Sequence, residues 1–147
     1  MTAEDEAWQN AEKALNQCQT TIAKLNTDDG REQVYRSAVA LTNYCHGVSR
    51  ECGWWAATTD RDIPRLLMLC VSELAEAMEG DRKQLMDDHL PDRPMLEVEL
   101  ADAVIRIFDM AGGLKLDVAG AIAEKLRYNT KRADHKLHNR RNGGKRY

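Results

Sequence analysis

Apolar residues recur at intervals of three and four positions along most of this chain, and no other feature of the sequence limits its fold as strongly. Side chains at that spacing share one face of an α-helix, whereas a half-buried β-strand needs alternation of apolar and polar residues. Such alternation does not occur, and the three prolines are confined to positions 64, 91 and 94. The sequence therefore predicts an all-α fold, a helical bundle of about five helices with a four-helix core.

Turn-forming residues between the apolar stripes predict where each helix begins and ends. Pro64 is tolerated in a first turn, Asp117 is a good N-cap, and Gly112-Gly113 are expected to stop the helix that precedes them. The approximate bounds of the predicted helices are, in chain order, residues 5 to 25, Glu32 to Arg50, Ile63 to Met78 or slightly beyond, Met95 to Ala111, and Asp117 to Asp134.

The chain has the length of one ordinary domain, and its composition is that of a globular protein. We predict an amphipathic N-terminal helix extension over residues 1–30, a central domain over 31–135 and a basic flexible tail over 136–147. The formal net charge is −3 at pH 7, which argues against a basic field over the whole molecule and against general nucleic-acid binding.

The four cysteines and the N-terminus bear on cellular location. The cysteines show no C-x-x-C spacing and fall on or beside apolar helix faces, so we expect reduced thiols and no zinc site. The first ten residues carry no basic flank or apolar stretch, and no segment approaches the roughly 20 apolar residues that span a bilayer. We therefore expect a cytoplasmic protein without membrane association.

The predicted helix over Met95 to Ala111 combines an almost wholly apolar surface with one narrow acidic strip. Placing successive residues 100° apart leaves a single polar sector, filled by Glu99, Asp102, Arg106 and Asp109. We expect this helix to be buried nearly all round, so its carboxylates must be paired, protonated or bound to a cation. One arginine cannot neutralise three acids. Asp109 could be a ligand or the partner of Arg106, and we favour the partner role.

A second acidic pair lies on the preceding predicted helix. Glu73 and Glu76 adjoin its apolar arc, and two antiparallel helices would present them opposite Glu99 and Asp102. Four carboxylates around a small cavity suit a hard divalent ion such as Mg²⁺ or Mn²⁺. The E-x-x-H motif of carboxylate-bridged di-iron bundles is absent, which argues against iron oxidation chemistry.

Mg²⁺ held by a few carboxylates usually shares its coordination with substrate phosphates, so cationic side chains nearby are candidate phosphate ligands. Lys125, Asn129 and Arg132 share one face near the end of the last predicted helix, and Lys83 follows the E-x-x-E pair. A basic last turn also complements a helix dipole, and this alternative stays open.

These motifs together resemble a known family. The chain carries an E-x-x-E motif at Glu73 to Glu76, an E-x-x-D motif at Glu99 to Asp102 with an Ile/Val-rich continuation, and then the basic segment that includes Lys125. In this order and spacing, and in the phrases SELAEAME, ELADAVIRIFD and EKLRYNTKR, it resembles the MazG-like all-α nucleoside triphosphate pyrophosphohydrolases over about residues 35 to 135.

The resemblance implies Mg²⁺-dependent hydrolysis of a (d)NTP to (d)NMP and pyrophosphate in nucleotide-pool control, by a homodimer or homotetramer. It implies that Glu73, Glu76, Glu99 and Asp102 bind metal, and that Lys125, Asn129 and Arg132 hold phosphates. Glu73 or Glu76 would also accept the proton of the attacking water. The chain departs from the family at Cys70, where many members have a further glutamate, so the number of metal ions stays open.

The sequence does not indicate which nucleotide base the protein would prefer. Relatives act on pyrimidine dNTPs, on damaged or unusual nucleotides, on guanosine alarmones and, in a phage branch, on purine dNTPs such as dGTP or dATP; for a phage protein the location would be the host cytoplasm. Trp54 and Trp55 could stack on a base and Asn43 could read its edge, although tryptophans after a helix also serve packing. The histidines, His46 among them, are expected in surface or loop positions.

Two functions of other classes stay open. One is a non-catalytic helical assembly protein with a structural divalent cation site. The other is a nucleic-acid-binding module that uses residues 125 to 147, which would bind in a salt-sensitive manner.

Overall fold

The computed structural model describes residues 27–55 and 61–132, and all its regular structure is helical. The predicted N-terminal helix and basic tail lie outside the described residues. Within the described ranges no strand is present and no helix is long and apolar enough to cross a membrane. The all-α prediction is thereby confirmed for this part of the chain, where a helical bundle fits. Its helices are α1 (Asp28–Glu51), α2 (Ile63–Lys83), α3 (Met95–Gly113) and α4 (Val118–Asn129).

The chain divides into two compact units. One comprises residues 38–118 and so contains the greater part of α1 together with α2 and α3. The described part of the other comprises residues 27–37 and 119–132, the start of α1 and nearly all of α4. The acidic pairs and the two tryptophans all belong to the first unit.

Helix α2 begins and ends at identifiable residues. The Asp62 carboxylate accepts a hydrogen bond from the backbone N–H of Arg65 at 3.1 Å, and Pro64 occupies the first turn. The helix continues past Met78 to Lys83, one turn further than the shortest prediction. It ends at Gln84, which adopts a left-handed conformation with φ 53°.

The connection between α2 and α3 is held by its own hydrogen bonds. The buried Asp87 carboxylate accepts from the backbone N–H groups of His89 and Leu90, at 3.0 and 2.6 Å. The backbone N–H of Met95 donates to the carbonyl of Leu85 at 3.0 Å, which brings the start of α3 back to the end of α2. The polar segment predicted here is thus an ordered turn.

Helices α2 and α3 pack against each other in antiparallel orientation. Gly80 near the end of α2 meets Met95 at the start of α3, where a Cβ on Gly80 would lie 2.9 Å from that of Met95. Further along, Glu73 of α2 contacts Arg106 of α3. This hairpin therefore brings Glu73 and Glu76 of α2 close to Glu99 of α3.

The prediction that α3 is buried nearly all round is wrong for the single chain. Leu100, Val104, Ile105 and Ile107 are between 38% and 47% exposed. The buried positions of α3 are instead Glu99 and three small or aromatic residues, Ala103, Phe108 and Ala111. Ala77 is buried on α2. The polar strip therefore faces the neighbouring helices, whereas part of the apolar surface of α3 is exposed.

The end of α3 meets α1 and the segment that follows it. A Cβ on Gly112 would lie 2.5 Å from the Cβ of His46, and one on Gly113 would lie 2.0 Å from the Trp55 ring. The two glycines are the last residues of the helix, as expected of a stop signal. Their missing side chains have a further consequence, because they allow His46 and Trp55 to approach the helix backbone.

Candidate metal centre

Three carboxylates from two helices meet in the α2–α3 hairpin. Glu73 and Glu76 lie one turn apart on α2, Glu99 lies on α3, and one oxygen from each falls within 4.8 Å of the others. Glu73 and Glu99 are buried and Glu76 is exposed. The group is therefore closed on the core side and open to solvent on the other. It is called the acidic cluster below.

The acidic cluster is electrostatically unfavourable without a cation. Burial, a hydrogen bond with Glu73 and the charges of Glu76, Glu73 and Asp102 together raise the pKa of the Glu99 carboxyl from 4.5 to about 7, and burial contributes most. The proton that this shift favours lies between Glu99 and Glu73, so it reduces the repulsion between the two acids. A divalent ion would relieve the same repulsion more completely.

Arg106 supplies one positive charge to the acidic cluster. Its Nε donates to Oε1 of Glu73 at 2.6 Å, which joins the middle of α2 to the second half of α3. The prediction that Arg106 pairs with Asp109 is therefore wrong. Asp109 lies three residues after Arg106 on the same helix, but the Arg106 side chain extends to Glu73 on α2 instead.

Asp102 lies one turn beyond Glu99 on α3 and is partly buried. It is not among the three residues whose oxygens come within 4.8 Å, although its charge contributes to the raised pKa of Glu99. The structure thus brings three of the four predicted metal ligands together and leaves Asp102 beside them. Its role as a ligand stays a prediction.

Cys70, which stands where many of the resembled proteins have a glutamate, is buried one turn before Glu73. Burial raises the pKa of its thiol, and the positive charge of Arg106 opposes that shift. Its Sγ donates to the carbonyl of Leu66 at 3.6 Å. A neutral thiol at this position belongs to the core, so the metal ligands would come from Glu73, Glu76 and Glu99.

The donor set of the acidic cluster fits a small hard cation. Oxygen ligands lie about 2.1 Å from Mg²⁺, so two on opposite sides of the ion are about 4.2 Å apart. The 4.8 Å span of the three oxygens is close to that separation, so small side-chain movements would suffice. Carboxylate oxygens without nitrogen or sulfur donors favour Mg²⁺ or Mn²⁺ over zinc.

Asp109 forms a second polar centre on α3, which the sequence did not predict. Its carboxylate accepts from Ser49 Oγ at 2.7 Å and from Trp55 Nε1 at 2.6 Å, and it lies 2.9 Å from His46 Nδ1. His46 is therefore partly buried on α1, not in a surface or loop position. The available signal was the i, i+3 pair His46 and Ser49 on one face of α1.

The candidate base-binding residues Trp54, Trp55 and Asn43 differ in their exposure and in their contacts. The Trp55 ring packs edge-on against His46, with centroids 5.1 Å apart, and the Arg61 guanidinium lies 4.3 Å from the Trp55 ring centroid. Trp54 is 75% exposed, and Asn43 is exposed on α1. Trp55 thus has a packing role, whereas base contacts by any of the three residues stay predictions.

Lys83, a predicted phosphate ligand, lies in the last turn of α2 and forms an ion pair with Glu79, one turn earlier. Hydrogen bonds from Lys83 and then Arg82 lower the pKa of the Glu79 carboxyl. Lys83 is half exposed, so this surface pair leaves its ammonium group accessible to solvent.

The other predicted phosphate ligands lie at the end of α4 or just beyond it, in the other unit. Lys125 Nζ lies 4.8 Å and the Arg132 guanidinium 6.0 Å from the Tyr128 ring centroid. The side-chain oxygen of Asn129 is buried without a hydrogen-bond partner. A buried amide in that state is open to a ligand, but phosphate binding by Lys125, Asn129 and Arg132 stays a prediction.

Comparisons with protein-family models, with curated proteins and with solved structures found no match to this chain. The similarity to MazG-like enzymes therefore rests on the sequence motifs.

Proposed function

We propose that this protein is a Mg²⁺-dependent nucleotide pyrophosphohydrolase that converts a (d)NTP to (d)NMP and pyrophosphate. The observation that carries the proposal is the convergence of Glu73, Glu76 and Glu99 within 4.8 Å across two helices. Buried acids without enough cations to neutralise them are costly, so such a cluster favours a bound ion. Mg²⁺ in turn prefers to share its coordination with phosphate oxygens.

The proposed chemistry divides between the metal and the chain. Bound Mg²⁺ would polarise phosphate oxygens and lower the pKa of a coordinated water. Glu76 is the exposed member of the acidic cluster and can accept the proton of that water, while the buried Glu73 and Glu99 hold their oxygens in place. We assign Lys83, Lys125, Asn129 and Arg132 to the phosphates, and Trp54, Trp55 and Asn43 to the base.

The proposal is tested by incubating the full chain with each NTP and dNTP and Mg²⁺, and by measuring pyrophosphate and orthophosphate separately. We expect pyrophosphate and a nucleoside monophosphate from at least one substrate, purine dNTPs such as dGTP and dATP included. Chelation of the metal should abolish the release. If no nucleotide yields pyrophosphate, or if Glu73→Gln retains full activity, the proposed function is wrong.

We also propose that the chain forms a homodimer or homotetramer through the exposed apolar surface of its α2–α3 hairpin. Half-exposed apolar side chains recur at intervals of four and three residues along α2, a pattern typical of a helix that packs against another. Apolar residues of α3 are exposed to a similar degree. This outer apolar stripe consists of Leu67, Val71, Leu74 and Met78 on α2 with Leu100, Val104 and Ile107 on α3.

Analytical ultracentrifugation tests the assembly. The wild-type chain should sediment as a dimer or larger, and Val71→Glu should sediment as a monomer because it places a charge in the stripe. Leu90→Glu changes an equally exposed apolar residue in the α2–α3 connection and serves as the control. A monomeric wild-type chain would overturn this part of the proposal.

The same stripe favours a second candidate, a non-catalytic assembly protein with a structural cation. Such a protein would bind Mn²⁺ at the acidic cluster and would assemble through α2 and α3, yet would turn over no nucleotide. Metal-dependent sedimentation in the absence of pyrophosphate release would favour it over the enzyme.

A further inference from the structure

Arg106 occupies a particular place in the acidic cluster. It lies four residues after Asp102 and seven after Glu99, so all three share one face of α3. From there its Nε reaches Oε1 of Glu73 on the opposite helix at 2.6 Å. A guanidinium thus lies against one of the three carboxylates that the proposed metal would use.

The two partners of this ion pair differ in exposure. The Glu73 side chain is 8% exposed and the Arg106 side chain 44%. The carboxylate is fixed in the core side of the cluster, whereas the arginine reaches it from the solvent side. Arg106 can therefore leave Glu73 without opening the packing between α2 and α3.

A divalent ion at the acidic cluster would compete with Arg106 for the same carboxylate. Both are cations, and both would use the Glu73 carboxylate. The hydrogen bond to Glu73 is made through Nε. A guanidinium displaced by a metal would have its donors available for another acceptor.

We propose that Arg106 is the counter-cation of the metal-free acidic cluster, is displaced from Glu73 by the divalent ion, and then binds a phosphate oxygen of the metal-bound substrate. Arginine suits this second role because its planar set of donors matches phosphate geometry and stays charged at any working pH. The inference rests on the proposed function, since it assigns a substrate contact to the same site.

This exchange predicts opposite effects on two affinities. Arg106→Gln removes a competitor, so Mn²⁺ alone should bind about 3- to 10-fold more tightly, in keeping with a partly exposed ion pair. The same change removes a charge-assisted contact, so inorganic tripolyphosphate should bind the Mn²⁺-loaded protein about 10-fold more weakly or worse. Arg106→Lys keeps the charge but loses the planar fork and should fall between wild type and Arg106→Gln for tripolyphosphate.

Isothermal titration calorimetry of the full chain measures both affinities without requiring turnover. Arg36→Gln is the matched control, because Arg36 Nε also donates to a glutamate Oε1, that of Glu32, at 2.7 Å, but on α1 and outside the cluster. It should change neither affinity. Circular dichroism in the presence of a chelator establishes that each variant is folded before titration.

The outcomes separate this inference from the proposed function. If Arg106→Gln weakens both affinities, Arg106 is a structural residue and the inference is wrong; unchanged affinities also overturn it. If the wild type hydrolyses a nucleotide but Arg106→Gln weakens both affinities or changes neither, the proposed function stands and only this inference is wrong. If Arg106→Gln binds Mn²⁺ more tightly and tripolyphosphate more weakly, but the wild type hydrolyses no nucleotide, the cation exchange is supported and the proposed hydrolase function is wrong. Absence of Mn²⁺ binding to the wild type would overturn both.

Discussion

Two acidic centres on the same strip of α3 are neutralised in different ways. Asp109 accepts hydrogen bonds from Ser49 and Trp55 and lies within hydrogen-bonding distance of His46, so its charge is met by groups on neighbouring segments. Glu99, three turns earlier, faces other carboxylates, and its pKa rises to about 7. The first centre is complete within the described structure, whereas the second requires a proton, Arg106 or a metal.

This difference separates a structural carboxylate from a functional one. A buried acid surrounded by donors stabilises the fold, because its desolvation is compensated by charge-assisted hydrogen bonds. A buried acid surrounded by acids reduces stability, and such an arrangement is typical of functional sites. Substitutions at the two centres should therefore have different consequences, and the following predictions are ordered by expected size.

The largest effect is expected for Glu99→Gln. The variant should lose about 10³-fold in metal-dependent pyrophosphate release, which corresponds to about 4 kcal/mol of transition-state stabilisation. It should still fold, because it removes a charge that the core disfavours. The assay is steady-state pyrophosphate release at saturating Mg²⁺.

Glu97→Gln is the control for that variant, since Glu97 lies on the same helix but is exposed and pairs with Arg93 at 3.2 Å. It should keep near wild-type activity. Equal losses in both variants would mean that helix α3, and not the acidic cluster, is being disturbed.

At the second centre, Asp109→Ala should reduce stability by about 2–3 kcal/mol. The change leaves the Trp55 and Ser49 donors without their acceptor in a partly buried environment. Urea denaturation monitored by tryptophan fluorescence measures the free energy of unfolding. Asp88→Ala, at an exposed position in the α2–α3 connection, should cost less than about 0.5 kcal/mol, and a similar cost for both would contradict the structural role of Asp109.

Gly113→Ala tests the approach of Trp55 that supports the Asp109 centre. Its Cβ would fall 2.0 Å from the ring, so Trp55 must move and stability should fall by about 1–3 kcal/mol. Gly47→Ala, on α1 with nothing within 4 Å, should instead stabilise the protein by up to about 1 kcal/mol. Thermal unfolding distinguishes the two, and stabilisation of both would show that Trp55 does not pack on Gly113.

The pH dependence of stability is gradual, and per pH unit it is expected to be the mildest effect. Between pH 4.5 and about 7 the folded, metal-free chain keeps a proton on Glu99 that the unfolded chain has lost. The free energy of unfolding should therefore decrease as pH rises through that interval, by no more than about 1.4 kcal/mol per pH unit from this group. Denaturation at several pH values with a chelator present measures the slope.

Glu99→Gln should flatten that slope, and saturating Mn²⁺ should diminish it, because the metal binds the ionised carboxylates and adds stability as pH rises. A wild-type slope of the opposite sign that survives in Glu99→Gln would show that other groups dominate.

Much of the hairpin was predictable from local signals. The start of α2 at Ile63-Pro64, the start of α3 at Met95 and the antiparallel opposition of Glu73 with Glu99 all follow from caps, prolines and helical periodicity. The partners of the polar side chains were not predictable in this way. Arg106 has acids on its own helix and on α2 within reach, and periodicity does not distinguish them.

The sequence by itself determined the helical class and the two acidic pairs, because helix formation and side-chain spacing depend on residues a few positions apart. Only the tertiary structure decided that Arg106 pairs with Glu73, that Asp109 binds groups on and after α1, and that apolar residues of α3 stay partly exposed. These contacts join residues more than thirty positions apart, and their energies depend on which helices share a boundary. The partners of each carboxylate are therefore set by the residues that face it from a neighbouring helix.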